Sequence, residues 1–231
     1  MIVPCIDLQD GKVVQLVQGK KKALEGEEPL VMLARFAGFP EIQVIDLDAA
    51  MGRGANDSLV ELLAGRARCR VGGGVRNATR ARALIDQGAA LVIVGTAAFT
   101  RDGIHQETLQ SIAGAIGRER VLIALDSFAG KIVVKGWQES TNLAAIEVLR
   151  QLEPYCGGFL CTYVDKEGMM QGTDLDWFRQ LRAATTLPIT AAGGITTIDD
   201  VKALMALNIH SALGMAIYTG RLSLEDLRRL L

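Results

Sequence analysis

Asp7-Leu8-Gln9-Asp10-Gly11-Lys12-Val13-Val14 comes back 119 residues later as Asp126-Ser127-Phe128-Ala129-Gly130-Lys131-Ile132-Val133. Two further motifs return at nearly the same interval. Gly73-Gly74-Val75 recurs as Gly193-Gly194-Ile195, 120 residues on, and Gly95 recurs as Gly214, 119 residues on. One interval shared by three separate motifs marks an internal duplication. The chain therefore reads as two copies of one half, about residues 1–118 and 119–231.

Each copy carries four short apolar runs. They are IVPCI (2–6), IQVI (42–45), CRV (69–71) and LVIV (91–94), then VLIAL (121–125), GFLCT (158–162), PIT (188–190) and HSAL (210–213). Between them lie stretches such as NDSLVELLAGRA, NATRARALIDQG and TTIDDVKALMAL, with apolar residues at i, i+3 and i+4 as an amphipathic helix requires. Eight strand–helix units predict a parallel sheet closed into a (βα)8 TIM barrel of the α/β class. An open doubly wound sheet is the alternative, but neither half alone covers both of its sheet edges. No Pro- or Ser-rich linker interrupts the chain, so residues 1–231 are expected to form one domain.

Composition sets outer limits. With 231 residues, 49% of them hydrophobic and 22% charged, the chain can bury a large core. A formal charge of −1 gives no general attraction to nucleic acid or to an anionic membrane, so any anion must be bound locally. Cys5, Cys69, Cys156 and Cys161 fit no zinc or redox spacing, and His105 and His210 are too few for a histidine-rich metal cluster. No metal site is expected. The start, MIVPCIDLQD, lacks a basic n-region, and no apolar run approaches a membrane span. The expectation is a monomer in a reducing cytoplasm.

The candidate chemistry sits at strand ends. Asp7 ends the first run and Asp126 the fifth. In an eight-stranded barrel these strands are opposed, and both acids reach one ligand lying across the C-terminal mouth, where TIM-barrel sites form. Two such carboxyls serve as acid and base if their surroundings separate their pKa values. The competing reading is a turn-capping role for each, given the Asp-x-x-x-Gly pattern that follows. Gly73 and Gly74 with Gly95-Thr96, and Gly193 and Gly194 with Gly214-Met215, are candidate phosphate cradles, one in each half. Tight-turn glycines without a ligand are the alternative there. Thr162 ends the sixth run and is a candidate to hydrogen-bond a substrate or to orient a carboxylate, while Asp46 and Asp48 either line the site or cap a loop. Trp137 is read either as a cover over the mouth or as a core residue. Gly19 with Lys20, Lys21 and Lys22 reads as a solvated charge run, with a hinged lid as the alternative. His105 is expected on the surface, His210 at the non-catalytic end, and the cysteines as apolar filler.

VPCIDLQDGKVVQLVQG, VIDLDAAMG, VGGGVR, VIVGTAA, ALDS, GKIVVKGWQES, GFLCTYVDKEG and ITAAGGI together resemble the ProFAR isomerase family of histidine biosynthesis over nearly the whole chain. The resemblance implies a cofactor-free Amadori rearrangement of a bis-phosphorylated aminoaldose ribotide to an aminoketose. It also implies Asp126 as general acid, Asp7 as general base and Thr162 assisting. The related cyclase of the same pathway shares the repeat and both acids, but GWQES and VGGGVR favour the isomerase. A dual-specificity histidine/tryptophan isomerase and a non-catalytic phosphometabolite-binding barrel are the remaining alternatives. The chain departs from the family pattern at Gln15 and Met215, where arginine is usual, and at Tyr163, where an acid is usual. It departs again at Lys166-Glu167-Gly168-Met169, where the family has Arg-Asp-Gly-Thr.

Overall fold

Along the first strand Ile2, Ile6 and Leu8 pack outward into the main apolar cluster while Cys5 faces the other side. The fifth barrel strand repeats this, with Val121, Ile123 and Leu125 outward and Leu122 and Ala124 inward. Successive strand side chains point to opposite faces, so Asp7 and Asp126 fall on the inward face of their strands. The computed structural model describes residues 1–17, 21–169 and 172–231.

The strands are β1 (Ile2–Gln9), β2 (Lys12–Val17), β3 (Lys21–Glu25), β4 (Ile42–Asp46), β5 (Cys69–Gly72), β6 (Leu91–Val94), β7 (Val121–Phe128), β8 (Lys131–Val134), β9 (Glu139–Ser140), β10 (Gly158–Tyr163), β11 (Ile189–Ala192) and β12 (His210–Leu213). Parallel pairing runs β10-β11-β12-β1-β4-β5-β6-β7, and β7 then pairs β10, closing an eight-stranded barrel. In that ring β1 and β7 stand four places apart, diametrically opposed. The helices are α1 (Pro29–Arg35), α2 (Leu47–Met51), α3 (Asp57–Ala64), α4 (Ala78–Asp86), α5 (Gln106–Ile116), α6 (Ala145–Leu152), α7 (Leu175–Ala184), α8 (Ile198–Ala206), α9 (Met215–Tyr218) and α10 (Leu224–Arg228). The eight barrel strands are those expected, and the open-sheet alternative falls with the β7–β10 pairing. Among the described residues no helix is long and apolar enough to cross a membrane.

Four strands were not expected. β1 and β7 run past their apolar stretches into antiparallel hairpins, β1 with β2 and β7 with β8, while β3 and β9 extend them. The turns are Asp10-Gly11 (φ 51° and 73°) and Ala129-Gly130 (φ 48° and 77°). Two successive positive φ values are what a two-residue hairpin turn demands. Gly19 and Lys20 lie outside the described residues; Lys21 and Lys22 belong to β3.

Two apolar layers hold the barrel. The larger lies between strands and helices, with Phe36, Phe159 and Phe178 fully buried in it. A smaller inner cluster contains Cys5, Ile93, Leu122, Ala124, Leu160 and Ala212. Towards the N-terminal end the axis is closed by polar groups. Arg70 is 3% exposed and pairs with Glu41, and its Nη1 donates to Thr190 Oγ1 at 2.8 Å. Burial acts to raise the Glu41 carboxyl, but Arg70 and Arg68 outweigh it and hold the pKa below the ordinary value.

Candidate active site

A cavity of about 700 Å³ opens at the C-terminal mouth, within the usual range for small-molecule sites. Asp7, Asp126 and Thr162 all line it, from β1, β7 and β10. Among the described residues neither acid caps the turn that follows it. The Asp10 N–H donates to Asp48 Oδ2 at 2.7 Å and the Gly11 N–H to Asn56 Oδ1 at 3.1 Å. In the second half the Ala129 N–H donates to Asp165. The turns are thus held from elsewhere, and both strand-end carboxyls are left for the cavity.

Burial is the dominant electrostatic fact. It raises the Asp7 carboxyl from 3.8 to about 7. Burial also raises Asp126, against hydrogen bonds from Thr162 and from the Trp137 indole, whose Nε1 donates to Asp126 Oδ2 at 2.8 Å. The β7–β10 register sets Thr162 beside Asp126. A hydrogen-bond donor favours the ionised form of a carboxyl and desolvation the neutral form, so the two acids differ in how they hold a proton. Trp137 therefore belongs to the mouth. Its strand connection is tight: Lys135, Gly136 and Trp137 have φ of 55°, 65° and 65°, and the Lys135 N–H donates to Thr96 Oγ1 at 2.8 Å.

A third carboxyl escaped the sequence reading. Glu167, in the loop after β10, lines the same cavity and is raised to about 7 by burial and then by the charges of Asp7 and Asp126. Its signal was its position at an acidic site of the family's loop motif, read above only as part of a departure.

Both glycine clusters line the cavity, Gly73, Gly74, Gly95 and Thr96 on one side and Gly193, Gly194, Gly214 and Met215 on the other. Part of their glycine requirement is steric. Gly73 has φ +107°, and a Cβ there would lie 2.1 Å from the Asp46 carbonyl oxygen. Gly193 has φ +93°, and a Cβ there would lie 2.4 Å from that of Tyr163. Gly95 and Gly214 each precede a short helical turn, residues 96–98 and α9, whose opening N–H groups have no partner within the turn. Arg53, Arg76 and Lys135, not singled out from the sequence, also line the cavity and supply positive charge beside the first cluster.

The remaining candidates separate. Asp46 and Asp48 are structural: Asp46 accepts from the Ala49 and Asn56 N–H groups, and Asp48 from Asp10 and from Asn56 Nδ2. Gln15 is buried, donates from Nε2 to the Val14 carbonyl at 2.9 Å and lies against Gly214. Met215 is buried at the start of α9, and Met169 is exposed on the loop after β10. The Tyr163 ring packs on Trp177 at 5.7 Å, away from the cavity. His105 is exposed just before α5, and His210 is lowered to about 4 by burial, the N-terminus and Arg70. All four cysteines are free and buried, but Cys5 is more than filler because it lines the cavity floor. Burial first, then the charges of Asp7 and Glu167, keeps its thiol protonated.

Residues 1–223 match the family described as histidine biosynthesis protein. Similar full-length relatives are named 1-(5-phosphoribosyl)-5-((5-phosphoribosylamino)methylideneamino)imidazole-4-carboxamide isomerase. One, from Methanocaldococcus jannaschii, is 37% identical, covering 97% of this chain and 96% of the relative. Another, from Myxococcus xanthus, is 38% identical over 98% of this chain and 97% of the relative. A third, from Gemmatimonas aurantiaca, is 37% identical over 99% of this chain and 96% of the relative. With a closed (βα)8 barrel and a match over nearly its whole length, the chain belongs to the histidine biosynthesis protein family.

Proposed function

We propose that this chain catalyses the Amadori rearrangement of ProFAR, the bis-phosphorylated ribotide in its relatives' name, with Asp126 as general acid and Asp7 as general base. One observation carries the reading: two carboxyls on opposed strands, both raised by burial, share one cavity with a glycine cluster on either side. A ligand with a phosphate at each end spans such a mouth, with its reacting sugar between the acids.

The steps move protons only. Asp126, protonated, gives its proton to the ribose ring oxygen as the C1–O bond breaks, and the nitrogen lone pair forms the C1=N bond of a Schiff base. Asp7, ionised, takes the proton from C2. The C–H electron pair becomes the C1=C2 bond, and the C1=N pair returns to nitrogen. The enolamine then becomes the ketone as its hydroxyl loses a proton and C1 gains one. Thr162 holds Asp126 in register through its hydroxyl. Glu167, the third carboxyl in the cavity, takes up or gives back a proton at neutral pH, which limits the charge on the cluster. Proton transfer by placed side chains contributes typically ~10²–10⁴-fold each.

The test is conversion of ProFAR by the purified chain, followed as appearance of the ribulosyl product without added glutaminase or ammonia. Multiple turnovers support the reading. Binding without turnover would leave a phosphometabolite-binding barrel instead.

A further inference from the structure

Gln43 lies on β4 in register with Cys5, two residues before the level at which Ile45 pairs with Asp7. It is 6% exposed and lines the cavity, and its Oε1 is closed off from solvent with no hydrogen-bond partner among the described residues. Gln43 lines the cavity together with Cys5, Ile93, Ala124, Leu160 and Ala212 of the inner apolar cluster. A buried polar group without a partner carries a desolvation cost, and native structures rarely keep one without a reason. The inner cluster is apolar, and Arg70, the register partner of Gln43 on β5, bonds to Glu41 and Thr190 and leaves Gln43 Oε1 without a partner.

We infer that Gln43 is a further substrate-contacting residue, whose carboxamide binds the C3 hydroxyl of the opened ribose. This rests on the isomerase reading above and deepens it. A carboxamide both donates and accepts, and so does a hydroxyl, so one can satisfy the other whatever the protonation of the carboxyls above. The C3 hydroxyl adjoins the carbon from which Asp7 removes the proton, and Gln43 stands just below Asp7 on the neighbouring strand. A contact at that point fixes the rotation about C2–C3, and with it the direction in which the C2 proton faces Asp7. Fixing the reacting carbon this way is a positioning effect on the chemical step.

The experiment compares ProFAR with its analogue lacking the C3 hydroxyl on the reacting ribose, using the wild-type chain and Gln43→Met, a swap of similar volume. Wild type should lose about ten-fold or more in kcat/KM on the deoxy analogue, the size of a lost hydrogen bond that leaves a buried group unpaired. Gln43→Met should lose about as much on ProFAR, mainly in kcat, and should no longer distinguish the two compounds. Equal loss by Gln43→Met on both compounds would mean a structural role and overturn the inference. So would a wild type that treats the two compounds alike, a result that does not depend on the variant folding. No turnover of ProFAR by wild type would overturn the isomerase reading itself, and this inference with it.

Discussion

Asp7 is held among apolar strand residues, and burial alone raises its carboxyl from 3.8 to about 7. The folded chain therefore binds this proton more tightly than the unfolded chain. The stability it contributes is full below about pH 4 and is lost as pH rises towards 7. Glu167, also raised to about 7, acts in the same direction, and three neighbouring carboxyls titrate as a coupled set. Asp7→Asn, which removes the charge and keeps the shape, should be more stable than wild type at pH 8 and nearly equal at pH 4. At ~1.4 kcal/mol per pKa unit, a rise from 3.8 to about 7 limits the gain to about 4.5 kcal/mol. Denaturant unfolding at the two pH values measures it, and a pH-independent difference would contradict the burial argument. For the same reason kcat/KM should fall as pH drops below about 7, because the base must be ionised. That Asp7, Asp126 and Thr162 reach the cavity was legible because each ends an apolar strand. Glu167 and Gln43 were not. A loop brings the first to the cavity, and the second is marked by a missing partner that only the packed barrel reveals.

At the scale of elements, all eight barrel strands were readable because parallel strands buried on both faces are short apolar runs. The hairpins were not, because Lys12–Val17 and Lys131–Val134 follow β1 and β7 after two-residue turns and merge with them in sequence. Asp10-Gly11 was the available signal. The glycine clusters were legible as motifs, but not how much of their requirement is steric. Gly11 and Gly73 separate the two causes. Both have positive φ, but a Cβ on Gly11 meets nothing within 4 Å, while one on Gly73 would strike the Asp46 backbone at 2.1 Å. Gly11→Ala should cost about 1–2 kcal/mol, the price of a left-handed conformation alone. Gly73→Ala should cost more than about 4 kcal/mol or prevent folding, since backbone must move. Thermal unfolding of both variants checks this, and equal losses would contradict it.

For the whole molecule, the duplication seen at a 119-residue interval corresponds to two glycine clusters and two strand-end acids around one cavity. We propose that the halves meet near residue 118 in one domain, each supplying one acid and one phosphate cradle. Such a mouth should prefer ProFAR over phosphoribosylanthranilate, which carries one phosphate and would leave a cradle empty. Each lost charge-assisted contact is worth about 1.5–3 kcal/mol, so a few amount to several orders of magnitude in kcat/KM. Steady-state kinetics on both compounds decides it, and comparable efficiency would point to a dual-specificity enzyme. What the sequence left out at this scale is charge: Arg53, Arg76 and Lys135 converge on the mouth from three separate loops. If Asp7 and Asp126 are the base and acid of this isomerisation, ProFAR turnover in Asp7→Asn and Asp126→Asn beside wild type decides it. Each variant should fold and bind substrate while kcat falls by ~10²–10⁴-fold; near-normal turnover in either would rule the assignment out.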